Sequence, residues 1–161
     1  MAMFVHLAPE KYVKSILRNG ISRLREKAGY PHGIFAMPVT RNFYISHQWL
    51  RELKQRGQGP IAAVYFRVPD SLIVWVGHYN QPHQQMTAAA ALALISVQQN
   101  AEGFEVIVPE RIGRDQVHRV KSLPQVLGWR YYPGAKGQQP FCHCRYCNRG
   151  EIRAQRLIRE D

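Results

Sequence analysis

Two short stretches carry residue types from which chemistry is built. The first is Gly103-Phe-Glu-Val-Ile-Val-Pro109, where one carboxylate, Glu105, stands inside an apolar, β-branched run bounded by Gly and Pro. Runs of this kind form strands with a buried face. A charge on that face is costly unless a partner compensates it, so Glu105 is either a partnered, working carboxylate or an edge-strand glutamate turned to water. The second stretch is Cys142-His-Cys-Arg-Tyr-Cys147, which holds every cysteine of the chain. Cys142, Cys144 and Cys147 can fill three corners of a Zn²⁺ tetrahedron, with His143, His118 or His78 as fourth ligand; the other reading is three reduced cysteines in a tail loop. Cysteines this close together leave no disulfide framework.

The elements that must position these groups are read from local pattern. Residues 3–8 form a short strand, and residues 9–20 a helix with Pro at its start, Gly at its end and Val13, Ile16 and Leu17 on its apolar face. A basic loop over 21–32 leads to a brief strand over 33–38. Residues 42–56 have helical composition, with Tyr44, His47, Leu50 and Leu53 on one side. Two strong strands, 61–68 and 72–76, flank the turn composition Pro69-Asp70-Ser71 and are candidates for a hairpin. The segment 75–87 is dense in aromatic, Asn, Gln and His side chains, a composition that suits substrate recognition and equally an ordinary loop. Residues 86–99 form a helix with Thr87 near its start, feeding the strand that bears Glu105. Residues 111–120 show no clear pattern, residues 125–132 read as a last strand, 133–140 as a loop and 151–159 as a short helix. Strands outnumber helices and connections are short, so the class is α+β.

His6 lies on the first strand between Val5 and Leu7, where a satisfied core histidine is the ordinary occupant. Its order with the residues that follow points elsewhere: His6, then Gly33-Ile-Phe-Ala, then Thr40-Arg41 with Tyr44, then Glu105 on a late strand. This order resembles the ADP-ribosyltransferase fold of the His-Tyr-Glu branch. The opening Val5-His-Leu-Ala-Pro-Glu-Lys-Tyr-Val-Lys-Ser-Ile-Leu-Arg-Asn-Gly-Ile21 is similar to the start of DarT-type nucleic-acid ADP-ribosyltransferases and, more distantly, RNA 2′-phosphotransferases, and Phe104-Glu-Val-Ile-Val-Pro109 with Ile112 and Val117 is similar to the DarT-type segment that bears the catalytic glutamate. The resemblance covers residues 3–120. It implies a split β-sheet with flanking helices, NAD as co-substrate and Glu105 as the catalytic carboxylate. It implies that His6 holds the nicotinamide-side ribose and that a tyrosine stacks on nicotinamide. Branch members often carry that tyrosine where Ile34 and Phe35 stand, so Phe35 and Tyr44 are both contacts to test. Arg41 would pair with the pyrophosphate or orient Glu105; its ordinary reading is a solvated loop arginine. The resemblance also implies a toxin or phage-defence role, with an antitoxin or inhibitor protein as partner.

Composition bounds these readings. The chain has 161 residues, 45% of them apolar, enough for one domain with a real core. Residues 1–135 read as the transferase-like domain and 136–161 as a Cys- and Arg-rich extension packed on it. The 22 Lys and Arg against 11 Asp and Glu leave a net charge of +11, an excess that attracts polyanions and favours nucleic acid as partner. The longest apolar stretch, 86–97, is too short and Ala-rich to span a bilayer, and no signal segment opens the chain, which reads as cytosolic. From another class stands a non-catalytic, basic nucleic-acid-binding module with a structural zinc site.

Overall fold

The computed structural model describes residues 1–22, 29, 31–55, 59–79, 81–99 and 101–125. The cysteine cluster, the strand expected beyond residue 125, the tail helix and the whole extension 136–161 lie outside them. The described chain is α+β. It runs β1 (Ala2–Pro9), a 3₁₀ turn (Glu10–Tyr12), α1 (Val13–Asn19), β2 (Ile34–Pro38), α2 (Phe43–Ser46), α3 (Leu50–Gln55), β3 (Ile61–Val68), β4 (Ile73–His78), β5 (Gln84–Thr87), α4 (Ala88–Val97), β6 (Phe104–Val108) and β7 (Val117–Ser122). The strands form one seven-stranded antiparallel sheet in the order β5-β4-β6-β2-β1-β3-β7.

The first helix is shorter than its pattern suggests. Residues 10–12 tighten into the 3₁₀ turn, and Leu17, expected on the apolar face, is 52% exposed while Ile16 is buried. Gly20 ends the helix at φ 76°, where a Cβ would run into the Ile112 carbonyl. That close approach lets Ile21 and Ile112 exchange backbone hydrogen bonds, Ile21 N–H to Ile112 O at 2.8 Å and the reverse at 3.1 Å.

β3 and β4 do not form a hairpin. β3 pairs with β1 and β7, β4 with β5 and β6, and β1, β2 and β6 lie between them. Only residues 69–72 join them, and the Leu72 N–H folds back to the Pro69 carbonyl at 3.1 Å. A flat sheet would set β3 and β4 about 19 Å apart, four strand spacings, close to the limit of a fully stretched connection of about 18 Å. With a turn inside the connection, the sheet must bend. The seam is at β1 and β2, which pair only at Phe4 with Pro38 and Val5 with Met37, whereas β1 and β3 pair along their full length. β2 thus begins beside β6, with Ile34, Phe35 and Ala36 opposite Val108, Ile107 and Val106, and meets β1 only with its last two residues.

The core fills the face of β2, β4 and β6 that α4 covers. Ala36, Val74, Val76, Val106 and Val108 belong to one buried cluster with Ala88, Ala91 and Ile95 of α4, and Phe4 stacks on Phe66 at 6.1 Å. Ala88 and Ala91, one turn apart, keep the helix close to the sheet. Each fully buried Val, Ile or Phe of this set contributes about 1.5–3 kcal/mol. The helix starts as its sequence suggests, with Thr87 as N-cap accepting from the Ala90 N–H at 3.2 Å.

The single helix expected over 42–56 is two short helices. Asn42 caps α2 through its side chain, and residues 47–49 turn before α3 begins at Leu50. The apolar spacing was compatible with one helix. The three side chains of the turn bond instead to distant parts of the fold, and those bonds outweigh a few propagating helical turns.

Candidate functional site

Glu105 sits on an interior strand and is 7% exposed. The edge-strand, solvated alternative is therefore excluded by position: β6 is flanked by β4 and β2. Alternation along β6 puts Val106 and Val108 into the core under α4 and turns Glu105 and Ile107 to the opposite face. There Phe35 and Trp75 stand opposite Ile107, and Gly77 stands opposite Glu105.

A buried carboxylate needs a compensating group, and His83 lies within ion-pair distance of it, outside hydrogen-bond geometry. His83 Nε2 lies 3.2 Å from Glu105 Oε1, with the two side chains 3% and 10% exposed. Gly77 makes room for this pair. A Cβ at that position would meet His83 Cγ at 2.9 Å and Cδ2 at 3.0 Å, so only glycine lets the imidazole lie on β4 beside the carboxylate. His83 came from the segment 75–87, which folds as β4, a turn and β5 rather than as a loop. Its sequence signal was composition alone; nothing in the spacing linked it to Glu105.

The start of β6 is held by two consecutive residues, Gln48 and Trp49. Gln48 is fully buried, accepts the Gly103 N–H at 2.7 Å and donates to the Ala101 carbonyl at 3.0 Å. Trp49 donates its indole N–H to the Phe104 carbonyl at 2.8 Å. His47, also buried, faces the other way: Nδ1 donates to the Phe43 carbonyl at 2.7 Å and Nε2 accepts from the Tyr65 hydroxyl at 2.8 Å. Burial, reinforced by nearby Lys121 and opposed by the bond to Phe43, holds the His47 ring below its ordinary pKa, consistent with a neutral imidazole in that tautomer. Gly103, at φ 84°, lies under His78, where a side chain would collide with the ring.

His6 marks the seam. Where β1 and β2 stop pairing, His6 Nδ1 donates to the Phe35 carbonyl at 2.8 Å, so a side chain bridges the strands where the backbone ladder ends. The seam and the carboxylate are at nearly the same level: Met37 pairs with Val5, next to His6, and Ala36 pairs with Val106, next to Glu105. His6, Phe35 and Glu105 are thus on three neighbouring strands; alternation puts Phe35 on the face of Glu105 and His6, with Phe4, on the face of Ala36 and Val106.

No protein-family model, no curated protein and no solved structure matches this chain.

Arg41 and Tyr44 are placed elsewhere. They line a cavity of about 700 Å³ between the segment after β2 and the end of α4, together with Thr40, Asn42, Ser96 and Glu102. His6, Phe35 and Glu105 do not line it. Tyr44 donates to the Glu102 carboxylate, and burial, then that carboxylate, push its hydroxyl well above the ordinary tyrosine range. Among the zinc candidates, Cys142, Cys144, Cys147 and His143 are outside the described residues, His118 is exposed on β7, and His78 Nδ1 contacts the Tyr79 carbonyl at 3.2 Å. Among the described residues, no three His, Cys, Asp or Glu side chains are grouped to hold a metal, and no helix is long and apolar enough to cross a membrane.

A buried carboxylate beside an imidazole has two chemical capacities. In a site that excludes water it stabilises a developing positive charge strongly, and it accepts a proton from an approaching nucleophile. The imidazole nitrogen lies 3.2 Å from it, close enough to interact with its charge.

Proposed function

We propose that the chain is an NAD-dependent ADP-ribosyltransferase that modifies nucleic acid, with Glu105 as its catalytic carboxylate. The observation that carries the reading is Glu105 itself: buried on an interior strand, paired with His83, and one strand from the seam where His6 reaches the Phe35 carbonyl. A sheet that parts between its first two strands agrees with the split sheet of the His-Tyr-Glu branch. The order His6, Phe35, Glu105 along the chain agrees with its motif order.

In this reaction the bond between ribose C1′ and the nicotinamide nitrogen breaks, and nicotinamide leaves with the bonding electron pair. The ribose passes through an oxocarbenium-like state that the Glu105 carboxylate stabilises. A nitrogen or oxygen of the acceptor attacks C1′, and its proton passes to Glu105, with His83 beside it. Phe35, which shares the face of Glu105, takes the nicotinamide-side contact, because Arg41 and Tyr44 line a separate cavity; His6 acts through its bond to the Phe35 carbonyl. The net charge of +11 supports a polyanionic acceptor.

The test is incubation of the purified protein with NAD labelled in its adenylate part and with single-stranded DNA, RNA or protein. Label is expected in nucleic acid with release of nicotinamide, and Glu105→Gln is expected to lose the transfer while unfolding at a similar denaturant concentration. Absence of transfer to every acceptor, or transfer that Glu105→Gln leaves intact, overturns the proposal.

A further inference from the structure

The surface around α2 gathers aromatic and cationic groups that the Glu105 site does not use. Phe43 opens α2 and is 48% exposed. Its ring lies on His47, 4.1 Å between ring centres, and His47 meets the edge of Tyr65 at 5.8 Å. The Arg119 guanidinium covers the Tyr65 ring at 4.7 Å. Lys121 is close enough to His47 to disfavour its protonation.

Strand register puts the cations on one face. Arg119 pairs with Tyr65 and Lys121 with Ala63, so both project from the same side of edge strand β7. Arg67 shares that side of β3, since Arg67 and Tyr65 pair with Met3 and Val5 of β1. All three cations are exposed. Arg119 and Lys121 are separated by about 6.8 Å along the strand, the same order as successive phosphates on one nucleic-acid strand.

We propose that Phe43, Arg119 and Lys121 form a binding platform for single-stranded nucleic acid, with a base on Phe43, phosphates on the two cations and Arg67 extending the track. Cationic grooves with a stacking ring are how strands are held without reading their sequence. The occupant is single-stranded because Phe43 offers a π-face that only an unstacked base can use. The position suits delivery to the site. Arg119, Tyr65, Val5 and Met37 form one row across β7, β3, β1 and β2, and the next strand, β6, carries Glu105. Before any bend, β7 and β6 are about 19 Å apart along that row, a few nucleotides. As the place where the acceptor docks, the platform rests on the transferase reading; as a binding surface it does not need Glu105.

Fluorescence anisotropy with fluorescein-labelled oligothymidylate and oligouridylate, on the wild-type chain without NAD, tests it. Phe43→Ala is expected to weaken binding about ten-fold, at the lower end of base–aromatic stacking, with an unchanged salt slope, while Phe43→Tyr restores it. Lys121→Gln is expected to reduce the slope of log affinity against log salt by about 0.7. An abasic strand is expected to be insensitive to Phe43→Ala. Wild-type affinity in both Phe43→Ala and Lys121→Gln, duplex binding as tight as single-strand binding, or equal displacement by polyglutamate overturns the platform. If binding behaves as expected but no ADP-ribose is transferred, the transferase reading fails and the platform stands. If transfer occurs while both variants bind normally, the platform alone fails.

Discussion

Replacing Gln48 by leucine tests how the strand carrying Glu105 is anchored. The glutamine is fully buried, and its amide closes two hydrogen bonds to the segment before β6, from the Gly103 N–H at 2.7 Å and to the Ala101 carbonyl at 3.0 Å. Leucine fills similar space and satisfies neither. Each buried backbone group left without its partner costs about 1–3 kcal/mol, so about 2–6 kcal/mol together. The added apolar burial of leucine returns about 1–2 kcal/mol. The net loss is therefore centred on about 2.5 kcal/mol within a span of about 0–5 kcal/mol, a large share of a total stability of about 5–15 kcal/mol. Urea unfolding is expected to show a lower midpoint with an unchanged slope, and thermal unfolding a fall of about 3 °C per kcal/mol for a chain of this length. Amide hydrogen exchange gives the local readout: the Gly103 N–H, protected in the wild type, is expected to exchange much faster in the variant relative to amides in β1 and β3. A variant within about 0.5 kcal/mol of wild type, the range of ordinary surface changes, or one whose Gly103 protection falls only in proportion to global stability, would refute the anchoring role.

Three further outcomes follow from other contacts. Gly77→Ala puts a Cβ 2.9 Å from His83 Cγ; it is expected to cost about 1–3 kcal/mol as overpacking and to move the His83 ring off Glu105. Unchanged imidazole NMR shifts in that variant would count against the packing described. Thr87→Ala removes the cap bond to the Ala90 N–H and is expected to lower stability by about 1 kcal/mol, whereas Thr87→Ser should keep most of it. His47 is held below its ordinary pKa of 6.5 in the fold, so the unfolded chain takes up its proton first as the pH drops. The stability contributed by keeping His47 neutral is present above pH 6.5 and lost as the pH falls from there toward the lower folded value. Urea midpoints measured on both sides of that window should fall with acid in the wild type, and the fall should be smaller in His47→Gln; an equal fall in both would place the acid sensitivity elsewhere.

What the chain discloses locally and what it withholds divide along a physical line. The runs that became β3, β4 and β6, and the Thr87 cap of α4, are set by residues near one another in sequence, so composition and spacing suffice to locate them. The pairing of β3 with β1 and β7, rather than with β4, depends on a bend at the β1–β2 seam that no local pattern records. β7 escaped notice because Val117, Val120 and the polar residues between them follow neither helical nor strict strand alternation; its place is set by β3. The break of the 42–56 helix is the clearest case. Tyr44, His47, Leu50 and Leu53 keep helical spacing, yet Gln48 and Trp49 reach backbone atoms 53 and 55 residues away in sequence, and long-range bonds of that kind override propensity, which amounts to less than about 1 kcal/mol per residue.

The same turn explains why the apolar run around Glu105 can tolerate a carboxylate. A strand of β-branched residues would ordinarily close over its own buried face. Here Gln48 and Trp49 fix the backbone from Ala101 to Phe104, Gly77 opens the neighbouring strand by the volume of one side chain, and His83 enters that space. Two of these devices cost stability if they are there only for packing: a glycine inside a strand, and an imidazole and a carboxylate taken from water. A hydrophobic residue at position 105 would remove the need for both. Hence Glu105→Leu combined with His83→Phe is expected to fold at least as stably as the wild type, as replacement of buried ion pairs by apolar groups often does, while losing any chemistry the carboxylate performs. A double variant that unfolds would mean instead that the pair is there to hold the sheet.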